Sequence, residues 1–302
     1  MTEYRKDLAA SIRARLLNIS RAQGKSFDEL LTLYMLERLL FRVSKSRYRD
    51  NFILKGGLLL CVLFDDPHRT TKDIDFLAKQ IPSQMDYIIQ LFKEICAVEE
   101  RDGLIFHTDN IDIKRIKEDA DYEGVRVLLD CRLGQAKKIL QIDIGYGDVV
   151  VPKPQILKYP VILEMSNPNI LVYSLESVVA EKFEAMIKLA QMNSRMKDFY
   201  DIYTLSEYFD FDGRSLYEAI FETFQRRGTP YERNAIVFSK DFGLSSDKQK
   251  QWTAFMKRTV KAQVEFVQIM DRIREFLFPV YMALLNEREF FGHWSVDTKS
   301  WN

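Results

Sequence analysis

The sequence predicts an α+β fold, with a mixed α/β core over residues 50–172 between N-terminal helices at 1–49 and a helical region at 173–302. Apolar residues recur at helical spacing before residue 46 and again after residue 174. Between those stretches, short runs rich in β-formers are punctuated by Gly, Asp and Asn. Within the core, Phe52 to Leu54, Gly56-Gly57 and the apolar run Leu58 to Phe64 read as strand, tight turn and helix.

Residues 4–19 and 26–46 are expected to be helices. Leu30, Leu33, Tyr34, Leu36, Leu40 and Phe41 favour one side of the second, and Ser26 with Glu29 fits a capping box at its start. Ile74 to Ala78 follows as a strand, then Pro82 to Val98 as a helix with proline near its first turn. Strands are expected at 104–107, 111–117, 124–132 and 138–145. From Ser174 the signal stays helical nearly to the end, with Pro279 interrupting the last long helix and Asp241 to Lys250 forming a polar loop. No internal repeat or low-complexity tract is evident.

At 302 residues the chain can form one large domain or two modest ones. It is 29% charged with formal net charge zero, so no global basicity points to nucleic acid. Locally, Arg38, Arg42, Lys45, Arg47 and Arg49 form a basic run, which reads as a solvated helix face or a place for a polyanion to dock. Cys61, Cys96 and Cys131 lack metal-ligand spacing and suit reduced thiols in a cytoplasmic protein. The scattered His68, His107 and His293 argue against a histidine-based metal site. Met1 to Leu8 has no apolar signal region and no run approaches about 18 apolar residues, so neither secretion nor a membrane span is expected.

The chemistry concentrates in Asp73-Ile74-Asp75-Phe76. Side chains alternate along a strand, so the two carboxylates share a face while Ile74 and Phe76 enter the core. Two adjacent carboxylates repel unless a cation lies between them, and Mg²⁺ takes such oxygen ligands together with substrate phosphates. An Asp-x-Asp alone is usually a solvated face; the upstream glycine pair, whose N–H groups can approach phosphate oxygens, shifts the reading toward nucleotide chemistry. A third acid, Asp143, stands opposite the apolar face of Leu140, Ile142 and Ile144. Asp148, after Gly147, reads as a turn residue.

Two further residues are out of place by pattern. Lys182 falls within the stripe Leu175, Val178, Val179, Met186 and Leu189. It must snorkel or meet an anion, and a nucleotide phosphate is one such anion. Asp201 projects from an apolar-flanked helix face just after Arg195 and Lys197, and a Lys182–Asp201 pair would satisfy both anomalies. Arg195 and Asp198 fit a first-turn ion pair.

These motifs occur in a familiar order: Gly56-Gly57, then Arg69-x-Thr71-Lys72-Asp73-Ile74-Asp75-Phe76, then Asp143, then Ala180-Glu181-Lys182-Phe183-Glu184-Ala185, then Arg195-x-Lys197-Asp198-Phe199-Tyr200-Asp201-Ile202. Over about residues 50–210 the chain resembles the AbiEii/AbiGii-type toxins, nucleotidyltransferase-fold proteins of bacterial toxin–antitoxin and abortive-infection systems. The resemblance implies a DNA-polymerase-β-like core, Mg²⁺ or Mn²⁺, a nucleoside triphosphate and an antitoxin from an adjacent gene. It also implies an RNA acceptor, since some relatives add nucleotides to tRNA 3′ ends. By motif, Asp73, Asp75 and Asp143 would hold metal. Lys55, Gly56, Gly57, Thr71, Lys182, Arg195 and Lys197 would bind nucleotide phosphates, and Lys182 and Asp201 would join the three acids as essential residues, the C-terminal region completing the site. Gly57 stands where many nucleotidyltransferases carry serine, which removes one hydroxyl ligand for phosphate. The rival expectations are a metal-dependent nuclease on the same carboxylates and a non-enzymatic nucleotide-binding toxin component. A kinase is disfavoured by the lack of a Gly-rich kinase loop and a His-Arg-Asp set.

Overall fold

A computed structural model describes residues 3–64, 71–119, 122–259 and 264–302. Two compact units are present: residues 1–147 with 155–172, and residues 148–154 with 173–302.

The first unit is built on a seven-stranded mixed sheet. In chain order its elements are α1 (Glu3–Gln23), α2 (Phe27–Lys45), β1 (Phe52–Lys55), α3 (Gly56–Leu63), β2 (Asp73–Ala78), α4 (Met85–Cys96), β3 (Leu104–Asp119), β4 (Tyr122–Leu133), β5 (Ala136–Tyr146), β6 (Gln155–Lys158) and β7 (Asn169–Val172). The strand order is β3-β4-β5-β2-β1-β7-β6. β2 runs parallel to β5 and β1 parallel to β7; the other neighbours are antiparallel. Alternation sets the faces. Leu54, Phe76, Ile144 and Val125 form one lateral row, and Ile74, Ile142 and Val127 another, all of them buried. Two segments expected as separate strands, 104–107 and 111–117, belong to the single β3, with a register shift between His107 and Asp112.

α2 is buried on nearly every side rather than along one stripe. Of the basic run, Lys45, Arg47 and Arg49 are exposed as expected, but Arg38 and Arg42 correct the solvated-face expectation. Arg42 makes a two-point ion pair with the fully buried Asp102, at 2.5 and 3.2 Å. Arg38 pairs with Glu37 at 2.9 Å and donates to Ser166 O. Buried guanidinium groups are tolerated because each meets a carboxylate or carbonyl. Ser26 is the N-cap of α2, but its side chain makes no capping hydrogen bond, so the expected capping box does not form. α4 starts at Met85, after Gln84 in extended conformation, leaving Pro82 outside the helix.

The second unit holds α5 (Leu175–Leu189), α6 (Met196–Tyr208), β8 (Phe211–Asp212), α7 (Gly213–Arg227), α8 (Lys240–Leu244), α9 (Ser246–Thr259), α10 (Phe266–Leu285), β9 (His293–Ser295) and β10 (Ser300–Trp301). Ser174 caps α5 by accepting from Ser177 N at 3.2 Å. Three expectations fail here. Pro279 lies inside an unbroken α10, because Phe276, Leu277, Val280 and Tyr281 around it are all buried; packing outweighs the helix penalty of about 3 kcal/mol. The polar stretch 241–250 is mostly helix, started by Ser239, whose side chain accepts from Phe242 N, and anchored by buried Phe242 and Lys248. The end of the chain is not helical: β9 and β10 form a small sheet with β8 around the fully buried Trp294.

Candidate active site

The central acidic group arises from strand register. Asp75 pairs with Asp143 across the parallel β2–β5 ladder, Lys55 lies opposite Asp75 on β1, and Arg126 lies opposite Asp143 on β4. Directly opposed residues share a face. Lys55, Asp75, Asp143 and Arg126 therefore form one row across β1, β2, β5 and β4, with charges in the order plus, minus, minus, plus. Asp73, two residues before Asp75 on β2, adds a third carboxylate on that face. One ligand oxygen from each of Asp73, Asp75 and Asp143 can be chosen so that all three lie within 4.8 Å of one another.

Each acid is positioned. Thr71 Oγ1 donates to Asp73 Oδ1 at 2.7 Å. Asp143 accepts from Arg126 at both oxygens, from Nε to Oδ1 and from Nη2 to Oδ2, each at 2.8 Å, and Gln141 Nε2 adds a 3.1 Å bond to Oδ2. The Arg126 pKa is raised, first by its hydrogen bond to Asp143 and also by the charges of Asp143, Asp73 and Asp75, against an opposing desolvation effect. Gly56 is required by Asp75. Its φ is +69°, and a Cβ built there would stand 1.9 Å from Asp75 Oδ2. The chain thus turns from β1 into α3 through the space beside the Asp75 carboxylate, and Gly57 follows as a buried residue of α3's first turn. Lys55, buried, is the N-cap of that helix. Arg69 and Thr70 of the sequence motif lie outside the described residues. An all-oxygen cluster of three carboxylates fits a hard divalent cation, and no histidine or thiol belongs to it.

The second unit carries its own charged group. Lys182 Nζ lies 2.7 Å from Asp198 Oδ1 and 2.8 Å from Asp201 Oδ2. Arg195 Nε lies 2.7 Å from Asp198 Oδ2. Lys182 therefore meets anions inside its apolar surroundings, and it does so through two aspartates. Burial alone would raise the Asp198 pKa, but Lys182 and Arg195 outweigh it and hold the carboxyl below its ordinary value. Lys197 is exposed. Asp148 follows the bend at Gly147, outside any helix or strand. Its side chain is buried against Arg227, which also pairs with Glu184 at 3.0 Å.

Three residues escaped the sequence reading. Arg126 is marked only by a charge between Val125 and Val127, both buried on the opposite face. Gln141 shares its strand face with Asp143. Lys248, almost fully buried, donates to Gln191 O and Asn193 O at 2.7 and 2.5 Å and so secures the turn that joins α5 to α6. It stands in the stretch expected to be a loop.

Residues 38–277 match the family model described as nucleotidyl transferase AbiEii toxin, type IV TA system. Among solved structures, JHP933 from Helicobacter pylori is similar at TM-score 0.50 and 14% identity, over 87% of this chain and 95% of that one. Another H. pylori structure, of a candidate nucleotidyltransferase, gives TM-score 0.48 and 14% identity, over 86% and 98%. No curated protein matches.

Proposed function

Because the chain belongs to the AbiEii nucleotidyl transferase toxin family of type IV toxin–antitoxin systems, we propose that it transfers a nucleotide from a nucleoside triphosphate to an RNA 3′ end, that of tRNA, using a divalent metal and a DNA-polymerase-β-like core. The observation that supports this most is the register-locked group of Asp73, Asp75 and Asp143 beside the Gly56 turn. Asp73, Asp75 and Asp143 would hold Mg²⁺ or Mn²⁺, which when bound neutralises charge on the triphosphate and the leaving pyrophosphate. The acceptor hydroxyl attacks the α-phosphorus. A new P–O bond forms, the bond to the β-phosphate oxygen breaks, pyrophosphate leaves, and the hydroxyl proton passes to solvent or to a carboxylate. Asp143, whose two oxygens accept from Arg126, would orient the attacking hydroxyl or take its proton.

Lys55, Gly56, Gly57 and Thr71 are assigned to the phosphates; a phosphate role for Lys182, Arg195 and Lys197 rests on the family resemblance alone. Asp201 then works through Lys182, whose ammonium it and Asp198 hold in place. Positioning and charge neutralisation supply most of the rate. A cognate antitoxin restrains the activity in the cell.

The test incubates the protein with Mg²⁺, total bacterial RNA and each α-labelled triphosphate in turn, beside Asp75→Asn. Label entering a tRNA-sized band with wild type alone is the expected result. RNA shortened without triphosphate would replace the transferase with a nuclease. Nucleotide bound without turnover, with toxicity kept by Asp73→Ala, would leave a non-enzymatic toxin component.

A further inference from the structure

The row Lys55–Asp75–Asp143–Arg126 ends on a cation that none of the motifs includes. Arg126 grips Asp143 at two points, both 2.8 Å. A guanidinium is always charged and its planar fork matches a carboxylate, so this is a fixed positive charge rather than a titrating one. The Arg126 side chain keeps 37% exposure, against 10% for Asp143. The guanidinium itself is partly exposed, and the packing of β4 at this point is already done by Val125 and Val127 on the other face. The residue's position is therefore better explained by the carboxylates it faces than by the core.

Resting on the metal-dependent reading above, we propose that Arg126 is the positioning residue and resident counter-ion of the acidic cluster: it fixes Asp143 and weakens metal binding in the absence of nucleotide. Three carboxylates carry −3, and Lys55 and Arg126 at the two ends of the row bring the group to −1, Arg126 supplying one of those two positive charges. Opposing charges at this range act strongly across a partly water-excluded site. The metal then binds tightly only when a triphosphate arrives with it and supplies the missing oxygen ligands and negative charge. Arg126 thereby couples metal binding to nucleotide binding, and the protein without nucleotide does not hold metal at full strength.

Mn²⁺ alone is titrated into the full-length protein without nucleotide, with free Mn²⁺ followed by its electron paramagnetic resonance signal. The proteins are wild type, Arg126→Gln, Arg126→Lys and Asp75→Asn, each checked for folding by circular dichroism. Arg126→Gln is expected to bind Mn²⁺ at least about 10-fold more tightly than wild type. Arg126→Lys, which keeps the charge, is expected to stay within about 3-fold of wild type, and Asp75→Asn to lose binding. A tightening cannot come from damage to the fold, which could only weaken the site. Equal or weaker Mn²⁺ affinity in Arg126→Gln, with binding lost in Asp75→Asn, overturns the role of Arg126 and leaves the metal site standing. No Mn²⁺ binding by any protein, or binding untouched by Asp75→Asn, overturns the metal reading and this proposal with it.

Discussion

Replacing Gly56 by alanine tests the link between backbone and chemistry most directly. Two costs add. The first is conformational: φ is +69°, and an L-residue in the left-handed region costs about 1–2 kcal/mol. The second is steric. The new Cβ would meet Asp75 Oδ2 at 1.9 Å, Cγ at 2.6 Å and Cβ at 2.7 Å. Rotating the Asp75 side chain relieves the first two contacts but not the third, because Cβ is fixed to β2. The turn or the strand must therefore also move, and overpacking of this kind costs about 1–3 kcal/mol. The expected total is about 2–5 kcal/mol, a large share of the 5–15 kcal/mol that stabilises a typical domain. Gly228→Ala is the control. Gly228 has φ +62° but nothing within 4 Å of a built Cβ, so it should lose only the conformational part. Urea unfolding of both variants isolates the steric term as their difference, and Mn²⁺ titration of Gly56→Ala reports whether Asp75 is displaced. A Gly56→Ala protein no less stable than Gly228→Ala, with wild-type Mn²⁺ affinity, would refute the close approach and the reason given for glycine at this position.

Lys182→Met should destabilise the protein by about 3–5 kcal/mol, since it leaves the buried Asp198 and Asp201 with less compensation; chemical denaturation measures it, and a loss under about 1 kcal/mol would show that the pairs matter little. The Asp198 carboxyl is held below its ordinary value, so its stabilisation is present above about pH 4 and is lost as pH falls through the depressed folded value; the acid limb of the stability curve should be shallower in Lys182→Met, and identical limbs would count against the assignment. In the first unit the sign reverses. Burial pushes the Glu37 carboxyl up to about 7, against the opposing effects of Arg38 and the Ile162 N–H. Between its ordinary value of 4.5 and that raised value the folded protein keeps a proton the unfolded chain releases, so stability falls as pH rises across this window, by roughly 3 kcal/mol in all. Glu37→Gln keeps an acceptor for Ile162 N and should flatten that slope in unfolding measurements from pH 5 to 8; an unchanged slope would assign the dependence elsewhere.

What the sequence disclosed followed from period. Alternation placed Asp73 and Asp75 on one face and set Asp143 opposite Leu140, Ile142 and Ile144; helical spacing exposed Lys182 and Asp201 as misfits, and their ion pair at 2.8 Å is the resolution of both. Failures came where a residue's partner is remote in the chain. Arg38 and Arg42 read as a solvated run because nothing local marks Asp102 or Ser166 as their destinations. Lys248 read as a loop residue because its carbonyl partners lie 55 and 57 positions away. Pro279 read as a break because the apolar packing that overrides it is tertiary.

Arg126 belongs to both classes, and that explains why it matters. Its place on a strand between two buried valines is a local pattern, but its meaning depends on β4 pairing with β5 in one register. A slip of one residue would put Arg126 among Val127's partners on the apolar face and carry Asp143 away from it. The apolar rows Leu54–Phe76–Ile144–Val125 and Ile74–Ile142–Val127 oppose that slip, since Val125 and Val127 would exchange core for solvent. The hydrophobic face of the sheet thus sets the geometry of its charged face: burial of those rows fixes the register, and the register delivers two acids side by side with a cation at either end.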